Sequence, residues 1–78
     1  MEYDTDKVNE ATLALLYLNH FEDRWGVRAW KSMPWEAMDR LHEKGLIGDP
    51  KSKAKSVVLS EEVLIAAEEA FRKLFASR

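Results

Sequence analysis

No cysteine occurs among the 78 residues, which excludes disulfides and thiolate metal ligands. Two histidines without cysteine do not make a structural zinc set, and His20 and His42 stand too far apart for an HxH, HxxxH or HExxH pattern. Glycine is scarce as well. Gly26, Gly45 and Gly48 form neither a phosphate-cradling loop nor a nucleophile turn. Long apolar runs are missing, since residues 13–18 fall far short of the roughly 20 needed to span a bilayer. The opening MEYDTD is acidic, whereas a secretory leader needs a positive start followed by an apolar stretch. These absences lead us to expect a cytoplasmic chain without catalytic residues, cofactor or metal.

Net charge is −2, but it is unevenly spread. Residues 1–23 hold six carboxylates against Lys7, and residues 24–57 hold eight cations against four carboxylates. Residues 58–78 return to a slight acidic excess. A basic middle between acidic ends is the one electrostatic sign of a partner. The length suits a single domain over residues 1–78, burying only about 60–65% of the surface its unfolded chain exposes.

Apolar periodicity predicts three helices. The first starts near Asp4 to Asp6, whose carboxylates suit a helix N-terminus. Val8, Ala11, Thr12, Leu15, Leu16 and Leu18 then recur at helical spacing, and Leu13, Ala14 and Tyr17 widen the arc. A helix apolar over so much of its circumference belongs at the centre of the fold. Residues 22–33 show no clean helical period and read as a connector with about one helical turn. Ser32 as N-cap and Pro34 in the first turn then start a helix over residues 33–44. Trp35, Met38, Leu41 and His42 form its inward stripe, and Gly45 ends it.

Residues 46–47 and 56–59 are short apolar runs that pair as a two-stranded antiparallel hairpin around the turn-forming Gly48-Asp49-Pro50. Ser60 caps a last helix, on which Leu64, Ala67, Phe71, Leu74 and Phe75 make a continuous apolar face. The expected fold is mostly α (α+β): three helices with a small two-stranded hairpin.

The segment DRLHEKGLI, a basic tip, and then VVLSEEVLIAAEEAFRKLF resembles the second half of bacterial winged helix-turn-helix regulators, over about residues 35–75. In those regulators the helix before Gly-Leu-Ile enters the DNA major groove and the hairpin touches phosphates. The resemblance implies a winged helix-like shape. The chain departs from the regulators where the helix preceding the reading helix is short or missing. It departs again where Glu36, Asp39 and Glu43 oppose Arg40 and Lys44, and where Val63 replaces a common glycine. Taken whole, from MEYDTDKV through residues 35–41 to GLIGDPKSKAKSVVLSEE, the chain is similar to a small bacterial family classed as a domain of unknown function. That likeness implies a compact stand-alone protein and brings no activity with it.

Two surfaces are candidates for partners. Arg40 and Lys44 on the second helix, with Lys51, Lys53 and Lys55 at the tip, are the candidate nucleic-acid contacts. The three lysines alternate and share one face if the tip stays extended. They serve either as phosphate contacts or as charges that keep a strand edge unpaired. Trp25, Trp30, Phe71, Leu74 and Phe75 are the candidate protein interface; of Trp25, Trp30 and Trp35, some are expected to fill a core short of apolar mass and at least one to be exposed. The expected function is a non-catalytic protein-interaction module that forms a homodimer or binds another protein. A minimal winged helix nucleic-acid binder is the alternative.

Overall fold

The computed structural model describes residues 1–24, 26–31 and 34–77. Their order is α1 (Thr5–Leu18), β1 (His20–Asp23), β2 (Gly26–Trp30), α2 (Trp35–Glu43), β3 (Ser56–Leu59) and α3 (Glu61–Phe75). Three helices accompany a three-stranded antiparallel sheet in the order β1-β2-β3. The helices lie on one face of the sheet and leave the other face outward.

Helix α1 is central, as its wide apolar arc predicts, and packs against α3, α2 and β2. Asp4 caps it, accepting hydrogen bonds from the backbone N–H groups of Asp6 (2.9 Å) and Lys7 (3.3 Å). Its largest contact is with α3, whose buried line is small: Val63, Ala67 and Ala70. Ser60 caps α3 by accepting from the N–H of Val63 at 3.2 Å, also as expected.

Residues 22–31 depart from expectation. In place of a connector with a helical turn, β1 and β2 form an antiparallel hairpin in which Phe21 faces Arg28 and His20 faces Ala29. Strand β2 also pairs with β3, placing Arg28 opposite Val58 and Ala29 opposite Val57. The expected partner of β3, residues 46–47, contributes only the bridge between Ile47 and Leu59. The sheet therefore has one strand more than predicted: Val27-Arg28-Ala29 starts a period-two alternation that apolar Trp30 breaks, which leaves only a weak strand signal in the sequence.

Helix α2 starts at Trp35 with Pro34 at the N-cap position, and the Pro34 carbonyl accepts from the Met38 N–H at 3.1 Å. The proposed cap Ser32 lies outside the described residues. At the other end Gly45 adopts φ +74°. Its N–H donates to the His42 carbonyl (2.9 Å), and the N–H of Leu46 donates to Leu41 (3.0 Å). That pair of bonds is the Schellman closure, with Leu46 folded onto the core cluster that contains Leu41.

Among the described residues the core is aliphatic. Leu16, Met38, Leu41 and Val63 from the helices meet Ala29, Val57 and Leu59 from the sheet, with Ile47 beside them. None of the described aromatic residues is buried: Tyr17, Phe21 and Phe71 are half-buried, and Tyr3, Trp30, Trp35 and Phe75 are exposed. Trp30 is exposed, as its place among the interface candidates expects, whereas the inward placement of Trp35 and His42 is overturned; Trp25 lies outside the described residues. Strand alternation sends Ala29 inward and Trp30 outward. On α2 the buried arc is Ala37, Met38 and Leu41, and at about 100° per residue Trp35 and His42 fall roughly a quarter turn from its middle.

Candidate interaction surfaces

The outward face of the sheet is built by alternation. It carries Phe21 from β1, Arg28 and Trp30 from β2, and Ser56 and Val58 from β3. Phe21 and Trp30 stack with ring centroids 4.6 Å apart and planes 27° apart, and Trp30 remains 51% exposed. Arg28 reaches diagonally across to β3, its Nε donating to Ser56 Oγ at 2.6 Å and its Nη2 to the Ser56 carbonyl at 3.0 Å. The guanidinium is thus fixed to β3 and lines a hollow together with Ser56 and exposed Val58. The sequence signal for this surface is weak, since residues 27–30 alternate for only three positions before apolar Trp30.

The tip between Ile47 and Ser56 curls beside this face instead of extending as a wing. Asp49 Oδ1 accepts from the Lys51 N–H at 2.9 Å, turning the chain, and the Pro50 side chain is fully buried. Lys31 fastens the tip to the sheet: its N–H donates to the Lys55 carbonyl (3.0 Å) and its Nζ to the Ser52 carbonyl (2.8 Å). A hollow of about 200 Å³ is left between tip and sheet, lined by Arg28, Gly48, Asp49, Ser52, Ser56, Val57 and Val58. Lys51, Lys53 and Lys55 are exposed, but turns and bends replace the extended backbone that would have aligned them.

The second surface lies where α1 and α3 meet. Tyr17 stacks on His20 (centroids 4.8 Å apart) and meets Phe71 at 5.4 Å, and Phe71 meets Phe75 at 5.5 Å. Leu74 and Phe75 are 41% and 48% exposed, and Leu18 at the end of α1 is 64% exposed. The predicted apolar face of α3 therefore divides. Its small residues enter the core, and its last turn is left outward. Beside it, Glu10 and Lys73 pair at 3.1 Å, as do Glu68 and Arg72 at 3.0 Å.

The predicted reading helix is differently engaged. Arg40 Nε donates to Oδ1 of buried Asn9 on α1 at 2.7 Å, so this arginine is spent on joining two helices. Lys44 is exposed and lines a separate hollow of about 560 Å³ between the helices, together with Asp6, Glu10, Glu69 and Lys73. The element before α2 is the β1–β2 hairpin, so α2 is not the second member of a helix-turn-helix pair. Both histidines turn a ring nitrogen to the backbone: Nδ1 of His20 to the Tyr17 carbonyl, and Nδ1 of His42 to the Ile47 carbonyl at 3.1 Å. Among the described residues no group of three acidic or histidine side chains is arranged to hold a metal ion, and no helix is long and apolar enough to cross a membrane.

Residues 4–77 match the family described as Domain of unknown function (DUF6429), and the chain belongs to that family. It is similar to the uncharacterized protein y4hR of Sinorhizobium fredii (strain NBRC 101917 / NGR234), with 52% identity over 75 residues, covering 96% of this chain and 97% of the relative. No solved structure matches the chain.

Proposed function

We propose that this member of the family is a non-catalytic interaction module of the cytoplasm that associates with a second copy of itself through the α1–α3 aromatic surface. The observation that carries the reading is the placement of the aromatic side chains. Aromatic rings are the largest apolar groups available to a small core, yet among the described residues the core is built from leucine, valine, isoleucine, methionine and alanine. Rings kept outward at the end of α3 match the composition of interface centres, which favour tyrosine, tryptophan and phenylalanine.

Charge selects the occupant. The two ion pairs beside Leu74 and Phe75 neutralise each other internally, so a second copy brings no like-charge repulsion to this patch. A standard interface of about 800 Å² per partner would cover about one-seventh of the 5775 Å² surface. The exposed apolar groups of the patch supply part of that area, which fits a weak, concentration-dependent dimer. The absence of cysteine suits a reducing compartment.

Static light scattering from about 10 μM to about 1 mM tests the proposal. The expected result is a weight-average mass rising from 9.0 kDa toward twice that value. A constant monomer mass across the range would overturn it.

A further inference from the structure

The outward face of the sheet differs from the α1–α3 patch in one decisive respect: its surroundings are basic. Arg28 lies within it, Lys31 follows β2 and bonds to the tip, and Lys51, Lys53 and Lys55 stand along the tip that borders it. Asp23 at the end of β1 and Asp49 in the tip are the nearby carboxylates, and Asp49 already accepts from the Lys51 backbone. A second copy meeting this face would bring the same cations with it. A polyanion would not.

We propose that this face binds single-stranded nucleic acid. Bases stack on the Phe21–Trp30 pair, and the phosphates follow Arg28 and the tip lysines. Every base has a flat π surface, so stacking on an exposed ring is tolerant of sequence, while lysines tracking the backbone supply a salt-dependent attraction. The exposed Trp30 ring and the exposed Val58 methyl groups give an apolar floor on adjacent strands. The Arg28 guanidinium is already fixed by two bonds to Ser56, the residue paired with Trp30, and needs little further ordering. The hollow of about 200 Å³ beside Arg28 is below the size of ordinary small-molecule pockets. Three strands at about 4.8 Å spacing offer room for only a few nucleotides, so binding is short and weak.

This reading differs from duplex recognition by α2. Bases in a duplex are stacked on one another and closed to Trp30, and Arg40 is held by Asn9. An acidic peptide would satisfy the lysines but leave the flat aromatic pair without a counterpart.

The test is fluorescence anisotropy of labelled twelve-residue oligothymidine and oligouridine with the full chain at low salt, with a duplex of equal length and polyglutamate as competitors. Binding of either oligomer is expected, the tighter one naming the preferred sugar, with both competitors much weaker. The logarithm of affinity should fall with log salt at a slope of roughly −1.5 to −3, for two to four neutralised phosphates. Trp30→Ala should lower affinity about tenfold or more, and Trp30→Phe should retain most of it. Replacing Lys51, Lys53 and Lys55 together by alanine, all exposed and so safe for folding, should flatten the salt slope. Absence of binding by both oligomers would overturn the proposal. So would competition by polyglutamate as strong as by unlabelled oligomer, or a folded Trp30→Ala variant that binds like the parent.

Discussion

Asn9 on α1 and Arg40 on α2 are joined by a 2.7 Å hydrogen bond from the guanidinium Nε to the amide oxygen. Asn9 is only 7% exposed, so its oxygen has little water to replace a lost partner. Hydrogen bonds to charged groups contribute about 1.5–3 kcal/mol, and orphaning a buried acceptor costs on the same scale. Arg40→Ala should therefore destabilise the fold by about 2 kcal/mol in urea denaturation. A loss under about 0.5 kcal/mol, the scale of an ordinary surface change, would show the bond to be incidental.

Gly45 closes α2 in the left-handed region, with φ +74° and open space where a Cβ would stand. The cost of Gly45→Ala is then purely conformational, about 1–2 kcal/mol. For a domain of this size that lowers the melting temperature by roughly 4–16 °C. Calorimetry giving an unchanged midpoint would mean that the turn relaxes into another conformation.

The aliphatic core and the outward aromatics predict an inverted mutational pattern. Leu41→Ala and Met38→Ala, at fully buried positions, should each cost about 2–5 kcal/mol. A chain of 78 residues is stable by roughly 4–12 kcal/mol, so either change removes a large share of the total. Trp35→Ala, at a residue 60% exposed, should cost less than about 1 kcal/mol. Equal losses at Trp35 and Leu41 would contradict the burial described above.

Ser60 and Asp4 cap α3 and α1 through single side chains. Alanine at either position should remove about 1 kcal/mol. Changing Glu10 or Lys73, an exposed pair, should move stability by less than about 1 kcal/mol. Chemical denaturation of the four variants separates the two classes, and a larger effect at Lys73 than at Ser60 would reverse the expected ranking.

Much of the helical framework was legible in the sequence because it rests on local signals. Asp4 and Ser60 are capping residues read from type and position, and Gly45 is a helix terminator for a steric reason that needs no tertiary context. The sheet was less legible. Residues 46–47 and 56–59 look like natural partners because they are close along the chain. β3 instead pairs with β2, whose Ala29 and Val27 supply the inward positions that residues 46–47 are too few to provide. Arg40 showed a different limit. Its charge and its place before Gly-Leu-Ile suggested an outward role, and only the packing of α2 against α1 brings its side chain to Asn9. The fate of the aromatic residues was hidden for a related reason: which side of a strand or helix is inward depends on partners that composition does not name.

Sedimentation equilibrium of the parent chain beside Phe75→Asp is the most direct test of the proposed dimer, because Phe75 is 48% exposed and its replacement leaves the core intact. The parent is expected to show an apparent mass that climbs above 9.0 kDa with concentration, while Phe75→Asp stays at the monomer mass. A parent that remains monomeric, or a variant that associates as strongly as the parent, would contradict assembly through the α1–α3 surface.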